Sequence, residues 1–289
     1  MAMKIGAMLE SFLHDPTLRV PTDHIGSHTK SLDSPLKKTV PMAASVGATG
    51  IQAYASFGEL VPDNMTDASI KEWLDLVKSH GMVFSAICGD LGSPGFENEE
   101  INADRVERSK RILDLAKKLE CDVVTTHIGT VPVEENAKKE VMRKACRELA
   151  LYADSIGSAF AVETGPETAV VLYDFLESLG AGGVRVNYDP ANLIMLVADD
   201  PVKGVHTLGK YIVHTHAKDG IQLTADPVTF EEVPLGQGGV KWDDYLKALD
   251  AVGFAGFLTI EREVGDTPEK DIRMAADFLR ERLAALGLS

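Results

Sequence analysis

Cationic residues are in short supply in this 289-residue chain. It has 29 Lys and Arg against 44 Asp and Glu, for a formal net charge of −15. Nucleic-acid backbones and anionic membranes are bound by clustered Lys and Arg, so this balance argues against both as partners. Cysteine is scarce as well. Cys88, Cys121 and Cys146 lie far apart with no C-x-x-C pair, which reads as free thiols in a reducing compartment. No apolar run reaches the roughly 18 residues of a membrane span. The opening MAMKIGAML is too short for a secretory signal and reads as a first strand, so the expected location is the cytoplasm. G-x-G-x-x-G, Walker A, H-E-x-x-H and G-x-S-x-G patterns are all missing, and dinucleotide, nucleotide-phosphate, zincin and α/β-hydrolase chemistry have no motif support. Linkers, low-complexity segments and solenoid repeats are missing too.

What is present is a packed α/β pattern. A composition of 45% hydrophobic and 25% charged residues excludes disorder, collagen and coiled coil. Eight short apolar runs recur: KIGAML (4–9), GIQAYA (50–55), MVFSAIC (82–88), DVVTTHI (122–128), AFAVE (159–163), VRVNYD (184–189), YIVHTH (211–216) and GFLTIE (256–261). Near-continuous apolar runs are what parallel strands buried on both faces require. Amphipathic stretches separate them. In 68–80, Ile70, Trp73, Leu74 and Val77 form one stripe, and 106–120, 135–156, 168–180, 243–253 and 269–286 read the same way. Gly81, Gly180 and Gly253 close three of these stretches, as helix C-caps do.

Alternating strands and helices predict parallel βαβ units, and eight units predict a single (β/α)8 TIM barrel spanning residues 1–289. A doubly wound open sheet is the alternative. Two polar inserts depart from the repeat, at 14–35 and 217–241. In a barrel both fall on the C-terminal face, where active sites are built.

Four consecutive runs finish on metal-ligand residue types: Glu163, Asp189, His216 and Glu261. Adjacent strands run about 4.8 Å apart, so four neighbouring ends on a curved rim can aim at one point. Carboxylates gathered there repel one another without a cation. Three carboxylates and one imidazole form a hard O3N donor set that favours Mn2+, with Mg2+ or Co2+ as alternatives, over a thiolate-type zinc site. Each residue also has a plainer reading. A lone acid after a strand is usually a helix cap or an ion-pair partner, and Asp189 before Pro190 fits an N-cap with Pro at N1. The equivalent placement in four consecutive units favours the metal reading.

The segments YDPAN (188–192), HTHAKDG (214–220) and PLGQGGVKWDDYLKALDAVGFAGFLTIERE (234–263), with AVETG (161–165) as a weaker match, resemble the xylose-isomerase-like TIM barrels, the sugar-phosphate isomerase/epimerase superfamily. The resemblance runs along essentially the whole chain. It implies that Glu163, Asp189, His216 and Glu261 bind a divalent metal, commonly Mn2+. The chain departs from the pattern at Asn192, where many members have His, and at Gln237, where many have an acidic residue. These departures bear on substrate identity more than on metal binding.

Other residues near the predicted site have two readings each. His127 is a substrate contact or proton relay, or else a satisfied, partly buried histidine. His214 shares strand parity with His216 and reads as a hydrogen-bonded core residue or one that orients a ligand. Lys218 and Asp219 bind substrate oxygens or pair with each other. Arg262 contacts substrate or forms a rim ion pair with Glu263. Asn192 joins His127, Lys218 and Arg262 as a predicted substrate contact.

A divalent ion held this way polarises an α-hydroxy carbonyl, and Glu163 and Glu261 flank the substrate as acid and base. Proton return to the opposite face is epimerisation, return to the neighbouring carbon is isomerisation, and loss of a β-hydroxyl is dehydration. The expected function is therefore a metal-dependent isomerase or epimerase of a sugar or polyol. The alternatives are an inosose-dehydratase-like lyase, an endonuclease IV-like phosphodiesterase, or a non-catalytic sugar-binding barrel. The phosphodiesterase needs a fuller metal cluster and a basic DNA track, which the charge of −15 opposes. With no Lys/Arg cluster set aside for phosphate, a non-phosphorylated substrate is favoured. A homo-oligomer is compatible with the sequence.

Overall fold

Eight of the strands are sequestered on both faces, and this is why their sequences are apolar almost throughout. In the computed structural model, which describes residues 2–13 and 35–289, they are β1 (Lys4–Met8), β2 (Gly50–Tyr54), β3 (Val83–Cys88), β4 (Val123–Thr126), β5 (Ala159–Glu163), β6 (Val184–Tyr188), β7 (Ile212–Ala217) and β10 (Phe257–Ile260). They pair in parallel and close in the order β1-β10-β7-β6-β5-β4-β3-β2. The fold is a (β/α)8 TIM barrel.

Helices α1 (Pro35–Ser45), α2 (Asp67–Ser79), α3 (Glu99–Lys118), α4 (Ala137–Ser155), α5 (Ala169–Leu179), α6 (Pro190–Val197), α7 (Pro201–Leu208), α8 (Trp242–Ala251) and α9 (Pro268–Leu286) follow the strands. Local chemistry sets their ends. Thr66 caps α2 through a reciprocal capping box with Ser69. Gly180 ends α5 in the left-handed conformation, and Gly81 and Gly253 take positive φ just beyond the C-caps of α2 and α8. The predicted stripe of α2 buries Ile70, Trp73 and Val77.

Of the two polar inserts, residues 14–34 lie outside the described residues, and Pro35 opens α1. The insert at 217–241 is not a plain loop. It contains an antiparallel hairpin, β8 (Asp219–Ala225) and β9 (Val228–Val233), followed by a glycine-rich turn. The sequence hides this hairpin because most of it is exposed and its apolar residues, Leu223, Val228 and Phe230 among them, are interspersed with polar ones.

Toward its C-terminal end the barrel interior turns polar. Gln52, Thr125, Asn187, His214 and Thr259 are all at most 1% exposed. Buried polar groups must find partners, and these do so within one layer. That layer is the platform of the site.

Candidate metal centre

The four predicted donors converge. Glu163 ends β5, Asp189 follows β6, His216 lies in β7 and Glu261 follows β10, on four adjacent barrel strands. One ligand atom from each lies within 4.8 Å of all the others. His216 Nδ1 stands 3.2 Å from Glu163 Oε1, 3.1 Å from Glu261 Oε2 and 3.7 Å from Asp189 Oδ2.

Despite these distances, His216 Nδ1 and Asp189 Oδ2 make no hydrogen bond, although both are buried. Both belong to the one cluster, whose ligand atoms lie within 4.8 Å of one another around a common point. Buried orphan polar atoms are costly and rare. A divalent cation at that point would satisfy both and would neutralise three carboxylates. Glu163, Asp189, His216 and Glu261 thus fit such an ion in donor type, burial and convergence. Without one, burial opposes charging of His216, but Glu163 and Glu261 outweigh it and hold the imidazole pKa well above its ordinary value. Burial likewise opposes charging of Glu163 and Glu261, yet His216 pulls both below the usual carboxylate range.

Neighbouring side chains aim the donors. Gln52 Oε1 lies 2.9 Å from His216 Nε2, and the Gln52 amide nitrogen donates to Thr125 Oγ1 at 2.8 Å. Nε2 also lies 3.2 Å from Asn187 Nδ2, and a neutral imidazole that donates from Nε2 to Gln52 would leave Nδ1 for the cluster. A second chain runs from the Thr259 hydroxyl to His214 Nε2 (2.8 Å), from His214 Nδ1 to Asn187 Oδ1 (2.8 Å), and from Asn187 Nδ2 to Glu163 Oε2 (2.9 Å). His214 is thus a hydrogen-bonded interior residue, and burial pushes its pKa well below the ordinary value. Asp189 fills the N-cap role and also faces the cluster. Its Oδ1 caps α6 through the N–H groups of Ala191 (2.8 Å) and Asn192 (3.2 Å), while Oδ2 faces the cluster.

The other predicted residues surround the donors in different ways. Asn192 donates to Glu163 Oε1 at 3.3 Å and to the Thr164 carbonyl at 3.1 Å. His127, partly exposed, places Nε2 3.9 Å from Glu163 Oε1 and Nδ1 3.5 Å from Asp90 Oδ2. Burial lowers its pKa, but Glu163 and Asp90 together raise it to about 10.

Lys218 Nζ lies 3.1 Å from Glu261 Oε2, 3.8 Å from Glu232 Oε2 and 4.0 Å from Asp189 Oδ2, and it also pairs with Glu263. Its expected partner Asp219 is engaged elsewhere. Asp219 accepts from the backbone N–H groups of Gly220, Gly236, Gly238 and Val240 and from the Trp242 indole, at 2.9–3.2 Å. A Cβ at Gly238 would sit 2.1 Å from Asp219 Oδ1, so this clasp needs glycine there. The expected Arg262–Glu263 pair is also replaced. Arg262 joins Glu232 (2.7 Å) and Asp271 (2.9 Å), because the hairpin brings Glu232 onto the rim.

The sequence reading missed several contributors. Gln52 carried a signal, being a lone polar residue inside an apolar strand, and Asn187 carried a similar one. Glu232 carried none, since its role depends on the hairpin. Glu10, buried after β1 with burial raising its pKa to about 7, accepts the Tyr54 N–H at 2.9 Å.

A parallel (β/α)8 barrel with a convergent acid–imidazole cluster at the C-terminal strand ends defines a class of barrels equipped for a divalent metal. The sequence model of the xylose isomerase-like TIM barrel family matches residues 40–282, and the chain belongs to that family. It is similar in structure to a xylose isomerase domain protein from Planctomyces limnophilus, with a TM-score of 0.80 and 23% identity over 100% of this chain and 99% of that one. It is also similar to a D-tagatose 3-epimerase-like protein, with a TM-score of 0.75 and 18% identity over 99% and 98% of the two chains. In sequence it is 31% identical over 80 residues to the L-ribulose-5-phosphate 3-epimerase UlaE of Salmonella paratyphi B, covering 27% of this chain and 26% of that protein. Matches to the first curated relatives span 64% of their length or less. Among the described residues, no helix is long and apolar enough to cross a membrane.

Proposed function

We propose that the protein is a divalent-metal-dependent isomerase or epimerase of a keto-sugar or related polyol, with Mn2+ as the preferred ion and Mg2+ or Co2+ accepted by the same donors. The carrying observation is the pair of buried orphan atoms, His216 Nδ1 and Asp189 Oδ2, facing Glu163 and Glu261 across less than 4.8 Å. Family membership and the similarity to two proteins named as 3-epimerase or 3-epimerase-like support a sugar substrate.

When bound, the ion supplies Lewis acidity that makes the C–H beside a carbonyl removable. The chain supplies the rest. Glu163 and Glu261 stand at opposite ends of the donor arc, and in this reading one takes the proton while the other returns it on the opposite face. Asn187 and Asn192 fix the Glu163 carboxylate, and Lys218 fixes that of Glu261. Lys218 and His127 are the proposed donors to substrate oxygens. Arg262, held by Glu232 and Asp271, acts from the rim. Dehydration of a keto-polyol is the second reading, since the same carboxylates also suit loss of a β-hydroxyl.

The test is hydrogen exchange from deuterated water into a ketose panel, with Mn2+ and after chelation. We expect exchange that disappears with chelator and returns with Mn2+, and a rate loss of about 10²–10⁴ in Glu163→Gln and in Glu261→Gln. Metal-independent exchange, or none with any ketose, overturns the reading, and release of water with exchange selects the dehydratase.

A further inference from the structure

A cleft of about 500 Å3 opens beside the donor cluster, lined by Asn192, Met195 and Leu196 of α6, by Phe230 and Glu232 of β9, and by Arg262 among others. This size lies within the range of small-molecule sites. None of the four donors lines it. Yet it begins where they end: Asn192 is bonded to Glu163, and Arg262 directly follows Glu261 in the chain. A substrate ring seated over the donors therefore has this cleft beside it as room for a substituent.

The lining has a particular chemistry. Phe230 is 49% exposed, the aromatic member of three large apolar side chains, with Leu223 and Val228, that the hairpin leaves in solvent. Side chains two apart on a strand share a face. Phe230 thus sits on the same face of β9 as Glu232, whose carboxylate is directed at Lys218 and Arg262 on the rim. An aromatic ring flanked by carboxylates and an amide suits a pyranose. The C–H face of the sugar lies against the ring, and its hydroxyls donate to the acids.

We propose that this cleft is a second sugar subsite, and that the preferred substrate is a keto-sugar carrying a glycosidic substituent rather than a free monosaccharide. The inference rests on the keto-sugar reading above and extends it to substrate class. Phe230 is the specificity-determining residue, and it takes no part in the proton transfers.

The experiment measures the affinity of the Mn2+-loaded full chain for D-fructose and for a set of glucosyl- and galactosyl-fructoses differing in linkage, by saturation-transfer NMR and calorimetry. At least one disaccharide should bind tenfold or more tightly than D-fructose, with saturation transferred to its non-reducing ring. Phe230→Ala should remove that advantage and leave D-fructose affinity unchanged. Equal affinities for all ligands overturn the proposal, as does an equal weakening of mono- and disaccharide by Phe230→Ala. A change of oligomeric state in Phe230→Ala also overturns it and assigns the ring to a subunit contact. Failure of the parent reading shows separately, as absence of metal-dependent hydrogen exchange in every ketose, and leaves the binding comparison readable.

Discussion

Asp189 and Asp219 are both buried acids at the C-terminal end of the barrel, and they are opposites. Asp219 meets five N–H donors with its two oxygens and locks the glycine-rich turn after the hairpin. Asp189 spends one oxygen on the cap of α6 and leaves the other without a hydrogen bond, facing Glu163, His216 and Glu261. A saturated buried carboxylate holds structure together. A buried carboxylate with an orphan oxygen is held by structure for something else. Residue type and burial do not separate the two, whereas the count of donors does.

The sharpest way to break this contrast is to remove each acid. Asp219→Ala removes the acceptor of five N–H donors and should cost about 3–5 kcal/mol in urea unfolding, with or without Mn2+. Asp189→Asn keeps a capping oxygen and removes one of several repelling charges, so the metal-free protein should be as stable as wild type or more so. Its metal affinity should fall at least about 100-fold. Wild type should gain about 2.7 kcal/mol when Mn2+ is present at a hundred times its Kd, and the variant should gain no more than about 0.4 kcal/mol at that concentration. If Asp189→Asn unfolds readily and Asp219→Ala does not, the assignment of roles is reversed.

Glu167 sharpens the comparison from between these extremes. It is 5% exposed and accepts a single N–H, from Val131 at 3.1 Å, and burial raises its pKa from 4.5 to about 7. Between those two pH values the folded state holds a proton that the unfolded state has released, so stability falls as pH rises through this window. Glu167→Gln keeps the acceptor and abolishes the titration. It should match wild type below pH 4.5 and exceed it by up to roughly 3 kcal/mol above pH 7. Stability curves that run parallel across this range would show that one donor is already enough.

The barrel itself was legible in the sequence because buried parallel strands leave little room for polar residues. All eight runs fall within two residues of the observed strands, and β5 coincides with its run. Helices α6 and α7 escaped because eight residues are too few to establish a period, although Asp189-Pro190 and Asp200-Pro201 marked both starts. Helix α1 carries Pro41 in its interior and abuts the polar insert. At the site, the four donors stood out because a strand end forces its last side chains toward the rim. The residues that aim them, Gln52, Asn187 and Asn192, act across strands, and no local pattern records such pairings. The ion pairs of Lys218 and Arg262 were mispaired for the same reason: Lys218 meets Glu261 and Glu263 after another strand, and Arg262 meets Glu232 on the hairpin and Asp271 on α9.

Lys218 provides the smallest test, because it already partly neutralises the unsaturated side of the comparison. Its ammonium sits 3.1 Å from Glu261 Oε2 and 4.0 Å from Asp189 Oδ2, the oxygens that would also face the metal. Two cations drawn to the same oxygens repel each other. Lys218→Met keeps most of the stem, removes the charge and leaves Glu232 and Glu263 more negative. Mn2+ affinity should therefore rise, by about tenfold or 1.4 kcal/mol, in competition against a chelator. The gain should shrink in high salt only slightly, since the pair is buried. Weaker metal binding in Lys218→Met would mean that the ammonium serves to hold Glu261 in its ligating position, and that Glu261, like Asp219, depends on its partners for its place.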